Sequence, residues 1–105
     1  MDYDKTIKEI SNEFDINIIP SLSDYIRIDN LSTSYDKEWE TNFKLEKAGY
    51  HLLVWALNQV VKEMTGELIK EPGRTPMVYL KIPPQGCDKT ILLYGHFDKQ
   101  PLNLF

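Results

Sequence analysis

The run Ile91-Leu92-Leu93-Tyr94, which leads directly into Gly95-His96-Phe97-Asp98-Lys99-Gln100-Pro101, constrains the fold more than any other stretch of this chain. Four contiguous apolar residues bounded by Asp88-Lys89-Thr90 and a glycine read as a strand over Thr90 to Tyr94, buried on both faces of a parallel or mixed sheet. Such a strand needs neighbours on both edges and cover on both faces. In open α/β sheets, ligands gather at the carboxyl ends of strands of this kind. Gly95 eases the backbone where the strand stops, and Pro101 sets a further turn.

The turn carries two polar groups of complementary use. Imidazole is the commonest metal ligand, and a carboxylate two residues away can accept the proton on its other ring nitrogen, fixing the tautomer and raising its basicity. His96 is therefore the candidate metal ligand and Asp98 its supporting carboxylate.

The segments upstream supply candidate neighbours for that strand. Ile7, Ile10 and Phe14 lie three and four apart, which predicts a short amphipathic helix over Asp4 to Phe14 with a charged opposite face. Asp15 to Asn30 contains Pro20 and several serines and reads as a turn-rich connection in which Tyr25, Ile26 and Ile28 anchor to the core. Thr33-x-x-Asp36 has the form of a capping box, so a helix is expected to begin there. The stripe Leu45, Ala48, Leu52, Leu53, Ala56, Leu57, Val60, Val61 and Met64 predicts that it runs from about residue 36 to 64, with Gly66 placed to stop it. Three strands are expected after it: Glu67 to Glu71, Met77 to Ile82, and Thr90 to Tyr94. Pro72-Gly73-Arg74 and Pro83-Pro84-Gln85-Gly86 separate them as turns. Val78, Leu80 and Ile82 alternate with Met77, Tyr79 and Lys81, which suits an antiparallel or edge position. Helices first and strands after give an α/β reading, one layer of helices on a small mixed sheet.

Composition bounds the partners. At 105 residues, with 42% hydrophobic and 27% charged, one domain with one core is expected over residues 1–105. A formal charge of -4 leaves no basic surplus to displace counterions from nucleic acid or to bind an anionic membrane, so neither partner is expected. The single cysteine, Cys87, cannot close an intramolecular disulfide, and the acidic start Met1-Asp2-Tyr3-Asp4 does not resemble a secretion signal. A reducing, cytoplasmic location is the expectation, and no apolar stretch reaches the length of about 18 residues that a membrane-spanning helix requires.

Several residues that could carry chemistry read as structural. Trp39, Tyr50 and Trp55 lie on or beside the helical stripe, where aromatic burial dominates core energetics. His51 has no carboxylate, cysteine or second histidine three or four residues away to form a metal pair. Cys87, beside Gly86 in a loop, has no neighbouring base and reads as an incidental thiol.

Leu92-Leu93-Tyr94-Gly95-His96-Phe97-Asp98-Lys99-Gln100-Pro101 resembles the first metal-binding motif of the carnosinase-like, aminoacylase-related zinc metallopeptidases, of cytosolic dipeptidase type. Ile19-Pro20-Ser21-Leu22-Ser23-Asp24-Tyr25-Ile26-Arg27-Ile28, followed by Leu31-Ser32 and Asp36-Lys37-Glu38-Trp39, is similar to that family's N-terminal stretch. The likeness covers residues from about 19 to 101, and its specific part is the terminal motif.

The resemblance implies the front part of a zinc-peptidase catalytic domain that hydrolyses dipeptides or related small amides. The family site holds two zinc ions through this histidine, a bridging aspartate, two further carboxylates and a second histidine, with a glutamate as general base. Only His96 as metal ligand, and Asp98 as the catalytic residue supporting it, carry over to this chain. Relatives continue for several hundred residues beyond the motif proline, so the expectation is an N-terminal segment with at most one zinc ligand, inactive alone. The alternative is a noncatalytic truncated product or a small interaction module. Unpaired sheet edges and uncovered apolar faces also predict marginal stability or self-association through an exposed edge.

Overall fold

The computed structural model describes residues 1–102; the expected single domain over 1–105 therefore includes three residues, 103–105, that lie outside the described ones. The chain forms α1 (Tyr3–Glu13), a π turn (Phe14–Ile18), α2 (Ile19–Ile26), α3 (Trp39–Asn42), α4 (Lys44–Leu57), β1 (Thr65–Ile69) and β2 (Met77–Lys81). The α/β expectation holds in this coarse sense, but the sheet among the described residues is a two-stranded antiparallel hairpin rather than a mixed sheet.

The N-terminal helix is longer than expected. Asp2 caps it, its carboxylate accepting the Lys5 amide at 3.1 Å. Helix then continues through Asp15 to Ile26, where a turn-rich connection was expected. Pro20 has no amide to donate, and in a regular helix its ring would crowd the carbonyl four residues back. The π turn just before it shifts the pairing, so that the Ile19 amide reaches the Phe14 carbonyl.

The long central helix is shorter than expected and broken. Its start is set by Asp36 rather than Thr33: one Asp36 oxygen accepts the Glu38 amide at 3.0 Å and the other the Asn42 side-chain amide at 2.7 Å. After the single turn of α3, Phe43 takes a left-handed conformation with φ 59°. The Asn42 side chain makes this break by accepting the Lys44 amide at 3.1 Å, a local turn that competes with continued helix. The helix ends at Leu57, well before residue 64, where the Gln59 side chain donates to the Trp55 carbonyl at 2.8 Å in place of a backbone amide.

Gly66 does not stop a helix; it belongs to β1. A Cβ there would lie 2.6 Å from Leu80 Cδ2 and 3.0 Å from Leu53 Cδ1, so the glycine permits the hairpin to approach α4. The register pairs Thr65 with Lys81 and Leu68 with Val78. Gly73, at φ 73°, supplies the left-handed position of the turn between the strands. In β2 only Val78 is half-buried, so the expected inner face of Val78, Leu80 and Ile82 is only partly formed.

The third expected strand is absent. Residues 90–94 join neither β1 nor β2, and Ile91 to Tyr94 are 84–91% exposed, contrary to their expected burial. The core is correspondingly small: Ile28, Leu45, Ala48, Leu53 and Ala56 are its buried apolar side chains among the described residues. The accessible surface is 8966 Å², against about 6,100 Å² expected for a compact monomer of this mass. Much apolar surface is thus left uncovered by the chain's own packing. No helix among the described residues is long and apolar enough to cross a membrane.

Candidate functional site

The strand-to-turn motif ends in a segment clamped to the body of the protein. Asn30, fully buried, holds it from both ends of its side chain. Its Nδ2 donates to the Phe97 carbonyl at 2.8 Å, and its Oδ1 accepts from the Lys99 ammonium. Backbone pairing adds register: the Lys99 amide donates to the Asn30 carbonyl at 3.2 Å, and the Ser32 amide to the Lys99 carbonyl at 2.8 Å. This is an isolated parallel bridge between Leu31 and Lys99.

Lys99 turns inward over α2. Its ammonium donates to the carbonyls of Tyr25, at 2.9 Å, and Ile28, and lies 4.1 Å from the Tyr25 ring centroid. Burial pushes the Lys99 pKa down from the ordinary lysine value, with the Asp29 charge opposing it. The Tyr25 hydroxyl donates to the Phe97 carbonyl. Burial raises the Tyr25 pKa, a hydrogen bond with Asn30 lowers it, and the nearby Asp98 charge raises it.

On this base the two motif side chains meet. His96 Nδ1 lies 2.9 Å from Asp98 Oδ1 and 3.2 Å from the Asp98 carbonyl. Both oxygens accept and neither donates, so Nδ1 carries the proton, and the tautomer this selects for a neutral ring has its lone pair at Nε2. The imidazole is 75% exposed and the Asp98 side chain 38%. They border a shallow, mostly polar cleft of about 430 Å³, which is also lined by Ser32, Ser34, Tyr35, Tyr94, Lys99 and Gln100. Gly95 is not left-handed, and a Cβ on it would meet nothing within 4 Å, so the steric relief expected of it is not required here.

His96 Nε2 can be a ligand, and Asp98 sets the ring, but among the described residues no group of three or more His, Cys, Asp or Glu side chains stands close enough to hold an ion. A complete zinc site needs four ligands, or three and a water. The residues present therefore fit a single ligand with its orienting carboxylate.

The other residues weighed from sequence stand apart. His51 Nε2 is 3.0 Å from the Ser21 carbonyl and 3.1 Å from the Ser21 hydroxyl. A carbonyl only accepts, so Nε2 carries the proton and is no base toward Ser21. Tyr25 stacks on the His51 ring at 6.4 Å. Trp55 donates to the Asn17 side chain at 3.2 Å, while Trp39 lies 4.9 Å beneath the Lys70 ammonium. Cys87 is free and exposed.

Sequence reasoning missed Asn30 and Lys99. Neither residue has a periodic signal; the only hint was a polar Asn between Ile28 and Leu31 in a stretch otherwise expected to anchor to the core. The chain matches no known family model, and no curated protein matches it significantly.

Proposed function

We propose that this chain contributes one corner of a zinc-dependent hydrolase site acting on dipeptides or related small amides, with His96 as the metal ligand and Asp98 as its positioning residue. The observation that carries the reading is the 2.9 Å contact of Asp98 Oδ1 with His96 Nδ1, which leaves Nε2 the lone pair that faces outward chemistry. The resemblance of Leu92 to Pro101 to a zinc-peptidase motif gives the same assignment. Zinc, when bound in a complete site, lowers the pKa of a bound water to about 7 and polarises a carbonyl. What this chain's residues do is narrower. Asp98 holds the Nδ1 proton and the ring orientation, and the Phe97 and Lys99 anchors on Asn30 fix the backbone on both sides of Asp98. No bond-breaking step is assigned to the isolated chain.

The test is zinc calorimetry on the purified chain beside His96→Ala and Asp98→Asn, with dipeptide hydrolysis followed in the same samples. The reading expects weak, His96-dependent zinc uptake, weakened further by Asp98→Asn, and no turnover. Zinc uptake unaffected by His96→Ala would overturn it.

A second reading, a small interaction module, is favoured by the exposure of Ile91 to Tyr94. An extended apolar segment without strand partners is chemically suited to adding to a sheet edge.

A further inference from the structure

The turn that carries His96 and Asp98 is aligned by polar groups outside the cleft, and their chemistry fixes the direction of each bond. The Lys99 ammonium has only donors, so the Asn30 atom facing it is Oδ1, and the amide nitrogen faces the other way, to the Phe97 carbonyl at 2.8 Å. That carbonyl only accepts, so the Tyr25 hydroxyl beside it donates as well. Two donors occupy both lone pairs of the Phe97 oxygen and hold the peptide plane that enters Asp98.

The plane that leaves Asp98 is held by the same asparagine. The Lys99 amide donates to the Asn30 carbonyl at 3.2 Å. No peptide bond among the described residues is cis, and in a trans peptide the C=O points opposite to the N–H. The Asp98 carbonyl is thereby turned away from Asn30 and towards His96 Nδ1, at 3.2 Å, and the Asp98 carboxylate reaches the same nitrogen at 2.9 Å. Asn30 is fully buried, and neither it nor Tyr25 lines the cleft.

We propose that Tyr25 and Asn30 are positioning residues for His96: with Asn30 oriented by the Lys99 ammonium, they place the two Asp98 oxygens that select the Nδ1–H tautomer, and so decide which imidazole nitrogen is left basic. A phenol on α2 and a buried amide, both remote in sequence from the motif, thus control the chemistry of its histidine. The effect on the tautomer stands without any metal. Its consequence for zinc affinity rests on the zinc reading given above.

The experiment is measurement of the His96 ring ¹⁵N shifts in the full chain at about pH 8.5, where an ordinary imidazole is neutral, beside zinc calorimetry on the same samples. His96→Ala identifies the signals. Tyr25→Phe removes one donor and keeps the ring beneath the Lys99 ammonium. Asn30→Asp still accepts from Lys99 but sets a carboxylate oxygen against the Phe97 carbonyl. The Phe97 ring keeps the segment docked in both variants, since it packs so closely on α4 that a Cβ on Gly49 would lie 3.3 Å from its Cζ. Each variant is expected to move the population from the Nδ1–H towards the Nε2–H form. Zinc uptake through His96 is expected to weaken by about tenfold, the lower end for loss of a group that supports a ligand. Trp55→Phe, which loses the bond to Asn17 elsewhere in the fold, is expected to leave both readouts as in the wild type.

A folded Tyr25→Phe chain with wild-type His96 shifts overturns the proposal. A Trp55→Phe chain that moves those shifts as far overturns it too, because the effect is then one of stability alone. A wild-type chain that takes up no zinc through His96 overturns the zinc reading, and the nitrogen shifts still decide the positioning.

Discussion

The Lys99 ammonium lies 4.1 Å from the centroid of the Tyr25 ring and donates to the Tyr25 carbonyl at 2.9 Å, joining the motif turn to the second helix. The same ammonium serves the Ile28 carbonyl and the Asn30 side chain. Replacing it with an apolar group of similar length strands those acceptors in a partly buried place. Lys99→Met is expected to cost about 1–3 kcal/mol, measured as a lower urea midpoint with unchanged slope.

Tyr25 gives the chain an alkaline limit. Its pKa is raised, chiefly by burial, so the folded state binds the phenolic proton more tightly than the unfolded chain does. The resulting stabilisation is present in full below pH about 10, the ordinary tyrosine value, and is lost as the pH rises through the folded value. Lys99, whose pKa is lowered, acts in the opposite sense over its own window, so the difference between wild type and Tyr25→Phe isolates the phenol. That stability difference should hold up to pH about 10 and shrink above it, as about one proton is linked, and a difference constant with pH would contradict the assignment.

Gly66 is held by close packing rather than by conformation. A Cβ there lies 2.6 Å from Leu80 Cδ2, so Gly66→Ala forces the hairpin away from α4 or pushes the leucine off its rotamer. The expected loss is about 1–3 kcal/mol, and Gly66→Ala/Leu80→Ala should recover part of it in a double-mutant cycle.

Glu46 is the least comfortable charge in the fold. Both its carboxylate oxygens are buried without a hydrogen-bond donor, and the nearest cation is Lys70 at 3.6 Å. Lys70→Met leaves the carboxylate without its counter-charge, and chemical denaturation should show a loss of about 1–3 kcal/mol, discounted from the fully buried case because Lys70 is partly exposed. Glu46→Gln should be near neutral, since it removes the charge that needed a partner.

Where local chemistry decided the structure, the sequence was readable. The spacing of Leu45, Ala48, Leu53 and Ala56 marked the buried face of α4, and Pro72-Gly73 marked the hairpin turn. The His96–Asp98 contact follows from two residues of separation on an extended turn. Where a side chain competes with the ladder, the pattern misled. Asn42 breaks a stripe that looks continuous, and Pro20 is absorbed by a π turn that no periodicity announces. Burial of Ile91 to Tyr94 was read from the residues themselves, but burial belongs to neighbours, and residues 90–94 pair with neither strand of the hairpin. Asn30 was invisible because a lone amide has no period; only the fold shows that it meets a carbonyl 67 positions away.

That separation orders events in time as well as space. The α4, β1 and β2 layer closes short loops and can form early, while the Asn30–Phe97 link must wait for a loop of 67 residues to close. The turn bearing His96 and Asp98 is therefore expected to assemble late in folding, and amide exchange at Lys99 and Ser32, whose amides make the bridge, should report the closing of that loop rather than of the core.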